Sequence, residues 1–212
     1  MAPGRPPGAR EGDKTTPLSV VDAEGNAAAA TLTINLGFGS GMVAEGTGVI
    51  LNDEMDDFAA APGASNAFGL VGSEANAVAP GKRPLSSMTP TIVLGPDGVH
   101  AVCGSPGGSR IITATLQTLL NVLVHGLDPA AAVGRPRIHH QWTPRELFHE
   151  TGALDAATAA SLEARGHVLK HRERVGNVQL IVVDEAADTP VGASDPRGIG
   201  AAAFIPRGDG AP

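Results

Sequence analysis

Lys14-Thr15-Thr16-Pro17-Leu18-Ser19-Val20-Val21-Asp22 is the stretch from which the rest of this chain is read. Residues 17–22 form a short apolar strand, and Ala23-Glu24-Gly25-Asn26 is turn chemistry. Residues 27–36 continue as a second strand, with Thr31, Thr33 and Asn35 on one face and Leu32, Ile34 and Leu36 on the other. Together they predict a β-hairpin that opens at Thr15. A threonine at a newly made N-terminus would carry an α-amine of pKa about 8 beside its own hydroxyl, and that amine can act as a general base. By composition and period alone, Thr15 and Thr16 read more simply as ordinary β-branched strand residues.

The 212 residues suffice for one sizeable domain with a real core. Hydrophobic residues make up 42% and charged residues 17%, which suits a buried-sheet protein. Aromatics are 3% with no Tyr, so packing must come from Val, Ile, Leu and Ala. A net charge of −7 argues against nucleic acid as a partner, because no basic patch is available to neutralise phosphates. The single Cys103 excludes an intrachain disulfide framework. No apolar run approaches the roughly 20 residues of a membrane-spanning helix. Residues 1–14 are rich in Pro, Gly and Arg, without the apolar segment of a secretory signal, and read as a flexible tail.

Further along, residues 37–48 are glycine-dense and read as a loop, followed by a short strand at Val49-Ile50-Leu51. Residues 59–83 show little periodicity, and a loop of that length is usually functional. Residues 91–94 and 100–103 predict a second hairpin around Pro96-Asp97-Gly98. Residues 109–125 carry a broad apolar stripe at helical spacing, with Gly126 at the stop. Residues 154–165 predict a second helix ended by Gly166, and 177–184 and 191–194 predict strands. The order implies a layered α+β domain.

Several residues could carry chemistry. Gly107-Gly108 directly precedes the first helix, where successive backbone N–H groups can cradle an anion. A tight turn explains them too, and no Gly-Lys-Ser/Thr follows to make a phosphate loop. Asp56 and Asp57 are neighbours, which on an extended chain diverge, so a proton-sharing pair is not expected of them. Ser86-Ser87 reads as a turn before Thr89-Pro90. His139-His140 diverge on a strand and lack a Cys or acidic partner at ligand spacing, so no metal and no cofactor is expected.

In this order, Thr15 to Asp22, Thr31 to Asn35, Leu51 to Phe58, Pro80 to Pro90, Gly104 to Arg110, His139-His140-Gln141-Trp142 and Gly192 to Arg197 resemble the small subunit of the γ-glutamyltransferase (glutathione hydrolase) family, which are N-terminal-nucleophile hydrolases. The resemblance implies an αββα sandwich, of which this chain supplies the small-subunit half, with 1–14 an upstream remnant and 15–212 the catalytic domain. It implies autocleavage before Thr15, which then serves as nucleophile with Thr33 assisting. Asn35, Glu54 and Asp57 would hold the α-amino end of a γ-glutamyl donor such as glutathione. Ser86 and Ser87 would bind its α-carboxylate, and Gly107 and Gly108 would form the oxyanion hole. Phe68 would stand in the lid, at a place that is often Tyr. Water or an amino acid or peptide acceptor would resolve the ester, and a large subunit would be the partner chain. Relatives are periplasmic or secreted. The sequence departs from the family at Pro17, where His is usual, and carries Glu54 where many bacterial relatives have Gln. A related cephalosporin or glutaryl acylase, and an assembly subunit that does not process itself, are the alternative readings.

Overall fold

The computed structural model describes residues 15–61, 63–184 and 189–205. The expected upstream remnant, 1–14, lies outside the described residues. In chain order the elements are β1 (Thr16–Val21), β2 (Ala27–Leu32), β3 (Thr91–Gly95), β4 (Gly98–Gly104), α1 (Arg110–Leu123), α2 (Pro129–Gly134), β5 (Ile138–His139), β6 (Glu146–His149), α3 (Ala156–Ala164), β7 (Val168–His171), β8 (Gln179–Asp184) and β9 (Thr189–Ser194).

β1 and β2 form the expected hairpin, with Thr16 opposite Leu32 and Val21 opposite Ala27. Its turn is closed by Asp22, whose Oδ1 accepts from the N–H of Glu24 and of Asn26 at 3.0 and 2.8 Å. The second strand is shorter than its alternation predicts, stopping at Leu32 rather than at residue 36. The reason is Asn35, which adopts a φ of 68°, a left-handed conformation that Asn tolerates and a strand does not. Thr33 and Asn35 therefore sit on a corner beyond the strand.

β3, β4, β8 and β9 make one antiparallel sheet in that order. Helices α1 and α2 cover one face of it, and the β1–β2 hairpin packs on the other across β4 and β8. The contact is close at Gly104, where an added Cβ would lie 3.2 Å from Pro17 Cβ and 3.4 Å from Thr31 Oγ1. Pro17 is tolerated because β1 is an edge strand, paired to β2 alone. Ala101, Cys103, Ala114, Val133, Val175, Val178 and Leu180 fill the core between α1 and the sheet. Burial pushes the Cys103 thiol up to about 12, so it packs as a small apolar group.

The second sheet, β5-β6-β7, was not legible in the sequence. Its strands are two to four residues long, too short for alternation to register. The strand expected at 49–51 is instead an isolated bridge between Val43 and Ile50.

A buried ionic network ties the second sheet to the first. Arg137 and Asp195 pair at 2.7 Å with both side chains fully buried. Asp195 also accepts from the N–H of Val178 and of Arg197. Burial alone would raise its pKa, but the Arg137 guanidinium and these N–H groups hold it below the usual carboxylate range. Arg197 in turn grips Glu150 through two bonds of 2.7 Å. Removing one partner leaves a buried charge without compensation. Asp195→Ala should therefore cost roughly 3–5 kcal/mol in unfolding free energy, measured by chemical denaturation of the purified protein.

Candidate active site

Thr15, Thr33, Asn35, Glu54, Asp57, Phe68, Ser86, Ser87 and Gly108 line one solvent-open cleft of about 310 Å³, with Met88 and Ile111. These residues come from the hairpin, three loops and the start of α1. Of the ten residues expected at the site, Gly107 alone does not line the cleft. Its φ of 139° is a backbone conformation that favours glycine.

The Thr15 hydroxyl donates to Thr33 Oγ1 at 3.0 Å. Thr33 Oγ1 also accepts from the N–H of Asn35 at 2.9 Å, so the corner after β2 fixes the hydroxyl that faces Thr15. Asp53 fastens the same corner: its Oδ1 accepts from the N–H of Leu36, and its carbonyl from the Asn35 side chain.

Glu54–Asp57 is a single 3-10 turn, not the extended run expected from the sequence. Three residues per turn stack positions i and i+3, so Glu54 and Asp57 face one another. The interacting carboxylates are thus Glu54 and Asp57, a pair that the sequence reading did not consider. Burial, followed by the charge of Asp57, raises Glu54 to about 7. Asp57 is also raised, mainly by burial and by Asp56 and Asp53, although its hydrogen bond with Glu54 opposes this. Glu54 Oε1 is buried and has no hydrogen-bond partner among the described residues. A buried acceptor beside a second carboxylate suits a small cation with hydrogen-bond donors, such as an ammonium group.

Ser86 Oγ accepts from the N–H of Met88 in a turn that presents Ser86 and Ser87 to the same cleft. Phe68 is carried by a loop that polar side chains hold in place. Asn66 Oδ1 accepts from the N–H of Phe68 and of Leu70, and Asp56 Oδ2 from that of Ala67. The Phe68 ring lies on Gly108, where any Cβ would come within 2.5 Å of it. Gly108 has a φ of 57° and begins the turn into α1. His139 is buried, whereas His140 is exposed and meets His167 edge-on, so the two rings diverge as expected. Sequence reasoning missed Asp53, Asn66 and Asn76, polar anchors that look like loop residues until their partners are seen. Asn76, for example, donates to the Asp57 carbonyl at 2.7 Å and accepts from the N–H of Leu85.

Residues 3–205 match the family model of gamma-glutamyltranspeptidase. The chain belongs to the gamma-glutamyltranspeptidase family. It is 50% identical over 189 residues to the glutathione hydrolase proenzyme of Escherichia coli strain K12, a match covering 89% of this chain and 32% of that protein. The corresponding proenzyme of Pseudomonas aeruginosa is 48% identical over 194 residues, 90% of this chain and 34% of the relative. The chain thus spans about a third of the length of these curated relatives. In three dimensions it matches the gamma-glutamyltranspeptidase of Pseudomonas nitroreducens complexed with L-DON, with a TM-score of 0.83 and 45% identity. That match covers 90% of this chain and all of the solved one. The αββα N-terminal-nucleophile fold is therefore that of this family, with helices, sheet and hairpin as three of its layers here.

The Glu54–Asp57 pair gives a pH signature. The folded pKa of Glu54 is raised above the ordinary carboxyl value of 4.5, so between that value and about 7 the folded state binds more protons there than the unfolded state. Stability then falls as pH rises through this window, and the penalty is complete above it. Glu54→Gln removes the ionisable group and should raise the melting temperature more at pH 8 than at pH 5, read by thermal scans at both values.

Proposed function

We propose that residues 15–212 are the small-subunit catalytic domain of a γ-glutamyltransferase that transfers or hydrolyses the γ-glutamyl group of glutathione and similar amides, with residues 1–14 an upstream remnant. The observation that carries this reading is the Thr15–Thr33 contact of 3.0 Å at one end of a cleft whose other walls are an acidic turn and two serines. Family membership adds weight to it.

In this mechanism the bond between Lys14 and Thr15 is cut first, which frees the Thr15 α-amine. The α-ammonium of the donor rests on Glu54, Asp57 and Asn35, and its α-carboxylate on Ser86 and Ser87. Held by both charged groups of its α-carbon, the donor presents its γ-carbonyl to Thr15 Oγ1, an entropic advantage of positioning. The Thr15 amine takes the hydroxyl proton as oxygen attacks the carbonyl carbon. The N–H groups of Gly107 and Gly108 receive the negative oxygen of the tetrahedral intermediate, a contribution worth about 10²–10³ in rate per donor in comparable sites. Collapse expels the leaving amine, which carries away the proton. Water or an acceptor amine then attacks the γ-glutamyl ester and regenerates Thr15.

A large-subunit partner is part of the proposal. Leu18, Val20 and Leu32 on the outer face of the hairpin are 55%, 43% and 63% exposed. Ile112, Leu116, Leu120 and Leu123 line the outer face of α1 and are likewise exposed. Continuous apolar faces of this kind mark a surface that a partner covers.

An acylase acting on donors without an α-ammonium has no use for the carboxylates at Glu54 and Asp57, and the pocket chemistry disfavours it. The test is release of chromophore from a γ-glutamyl anilide by the protein purified with its partner subunit. Thr15→Ala should lower kcat by at least about 10³-fold and leave the 14–15 bond intact by mass. The glutaryl anilide, which lacks only the α-amine, should react at least about 100-fold more slowly than the glutamyl compound. Full activity in Thr15→Ala, or equal rates on the two anilides, would contradict the assignment.

A further inference from the structure

Gln141 sits outside the residues assigned above, yet all of its hydrogen-bonding capacity is used between parts of the site. Its Nε2 donates to the carbonyl of Phe68 at 3.0 Å and to that of Thr143 at 3.1 Å. Both partners can only accept, so the orientation of the amide is determined. Its Oε1 then accepts from the Ser109 hydroxyl at 2.5 Å and from His139 Nε2 at 2.8 Å.

Ser109 lies at the N-cap of α1, next to Gly108. A serine there ordinarily caps its helix by accepting from an N–H one turn in. This one makes no such cap bond, and its hydroxyl is turned to Gln141 instead. His139 is 2% exposed and stacks on Phe148. Burial lowers its pKa, which favours the neutral ring. A neutral ring that donates from Nε2 must accept at Nδ1, and Thr113 Oγ1 stands 2.7 Å from that atom. Thr113 belongs to α1, so the chain of bonds closes on the helix that Ser109 precedes. The Phe68 loop is shaped for this approach: a Cβ on Gly69, at a φ of 75°, would lie 3.2 Å from Pro144 Cδ and 3.9 Å from Gln141 Nε2.

We propose that Gln141 is a positioning residue that latches the Phe68 loop to the Gly108–Ser109 turn, so that cover over the donor pocket and alignment of the oxyanion turn are set together. The inference rests on the proposed function for its catalytic consequence. The latch itself rests on geometry alone. Its two ends are chemically separable. The amide nitrogen holds the loop, and the amide oxygen holds Ser109 and His139.

Gln141→Glu keeps an oxygen for Ser109 and His139 but replaces the donor to the Phe68 carbonyl with a second acceptor. It should raise KM for a γ-glutamyl anilide about tenfold, the worth of one lost hydrogen bond, with kcat within threefold of wild type. Gln141→Met keeps the volume and loses both ends, so it should raise KM similarly and also lower kcat about tenfold. A residue that merely packs would change neither ratio in the Glu variant. Hydrogen exchange read by mass spectrometry on the amides of Phe68, Gly69 and Leu70, without substrate, should be faster in both variants. Unchanged exchange in Gln141→Glu would overturn the latch whatever KM does. Absence of turnover in the wild-type complex would strike the proposed function and leave the exchange test standing.

Discussion

The β1–β2 hairpin lies against β4 at a distance set by Gly104, where a side chain would crowd Pro17 and Thr31. That approach puts the start of β1 and the end of β2 beside the turn into α1. Thr15, Thr33 and Gly108 meet because of it, though they are remote in sequence. Had Gly104 carried a bulky residue, the hairpin would have to lift from the sheet, and the hydroxyls of Thr15 and Thr33 would leave the Gly108 turn. Asn35 supplies the second constraint. Its left-handed backbone ends β2 and swings the chain toward Asp53, so one corner serves both the Thr15–Thr33 contact and the acidic turn.

The cleft lining combines two partly buried carboxylates, Glu54 and Asp57, with the hydroxyls of Ser86 and Ser87. Burial, followed by the charge of Asp57, raises Glu54 to about 7. The Phe68 loop above is rigid for a reason that hydropathy does not record. Asn66, Asp56 and Gln141 hold its backbone through four side-chain bonds, from Asn66 to Phe68 and Leu70, from Asp56 to Ala67 and from Gln141 to Phe68.

Much of this was legible in the sequence where the signals were long or chemically narrow. The hairpin at Thr15, the α1 stripe and the hairpin at Pro96-Asp97-Gly98 follow from periodicity and turn residues. The site residues were legible through the resemblance rather than through spacing, and the structure brings nine of them to one cleft. What escaped was short or context-dependent. β5 has two residues, and no period can be read from two. The turn at Glu54 looks extended unless its i, i+3 pairing is known. Gln141 looked like one polar residue in a His-His-Gln-Trp run, because two of its four partners, Phe68 and Ser109, come from distant segments. Asp195, within the Gly192 to Arg197 motif, proved to be the anchor of a buried ionic network rather than a part of the cleft.

The most direct test of the account is to trap the covalent intermediate. The purified protein and its partner subunit are mixed with a γ-glutamyl donor, quenched in acid during turnover, digested and mapped by mass. The account requires a γ-glutamyl adduct on Thr15, in a peptide that begins at that residue. An active protein whose adduct lies on another residue, or whose Thr15 is still joined to Lys14, would contradict it.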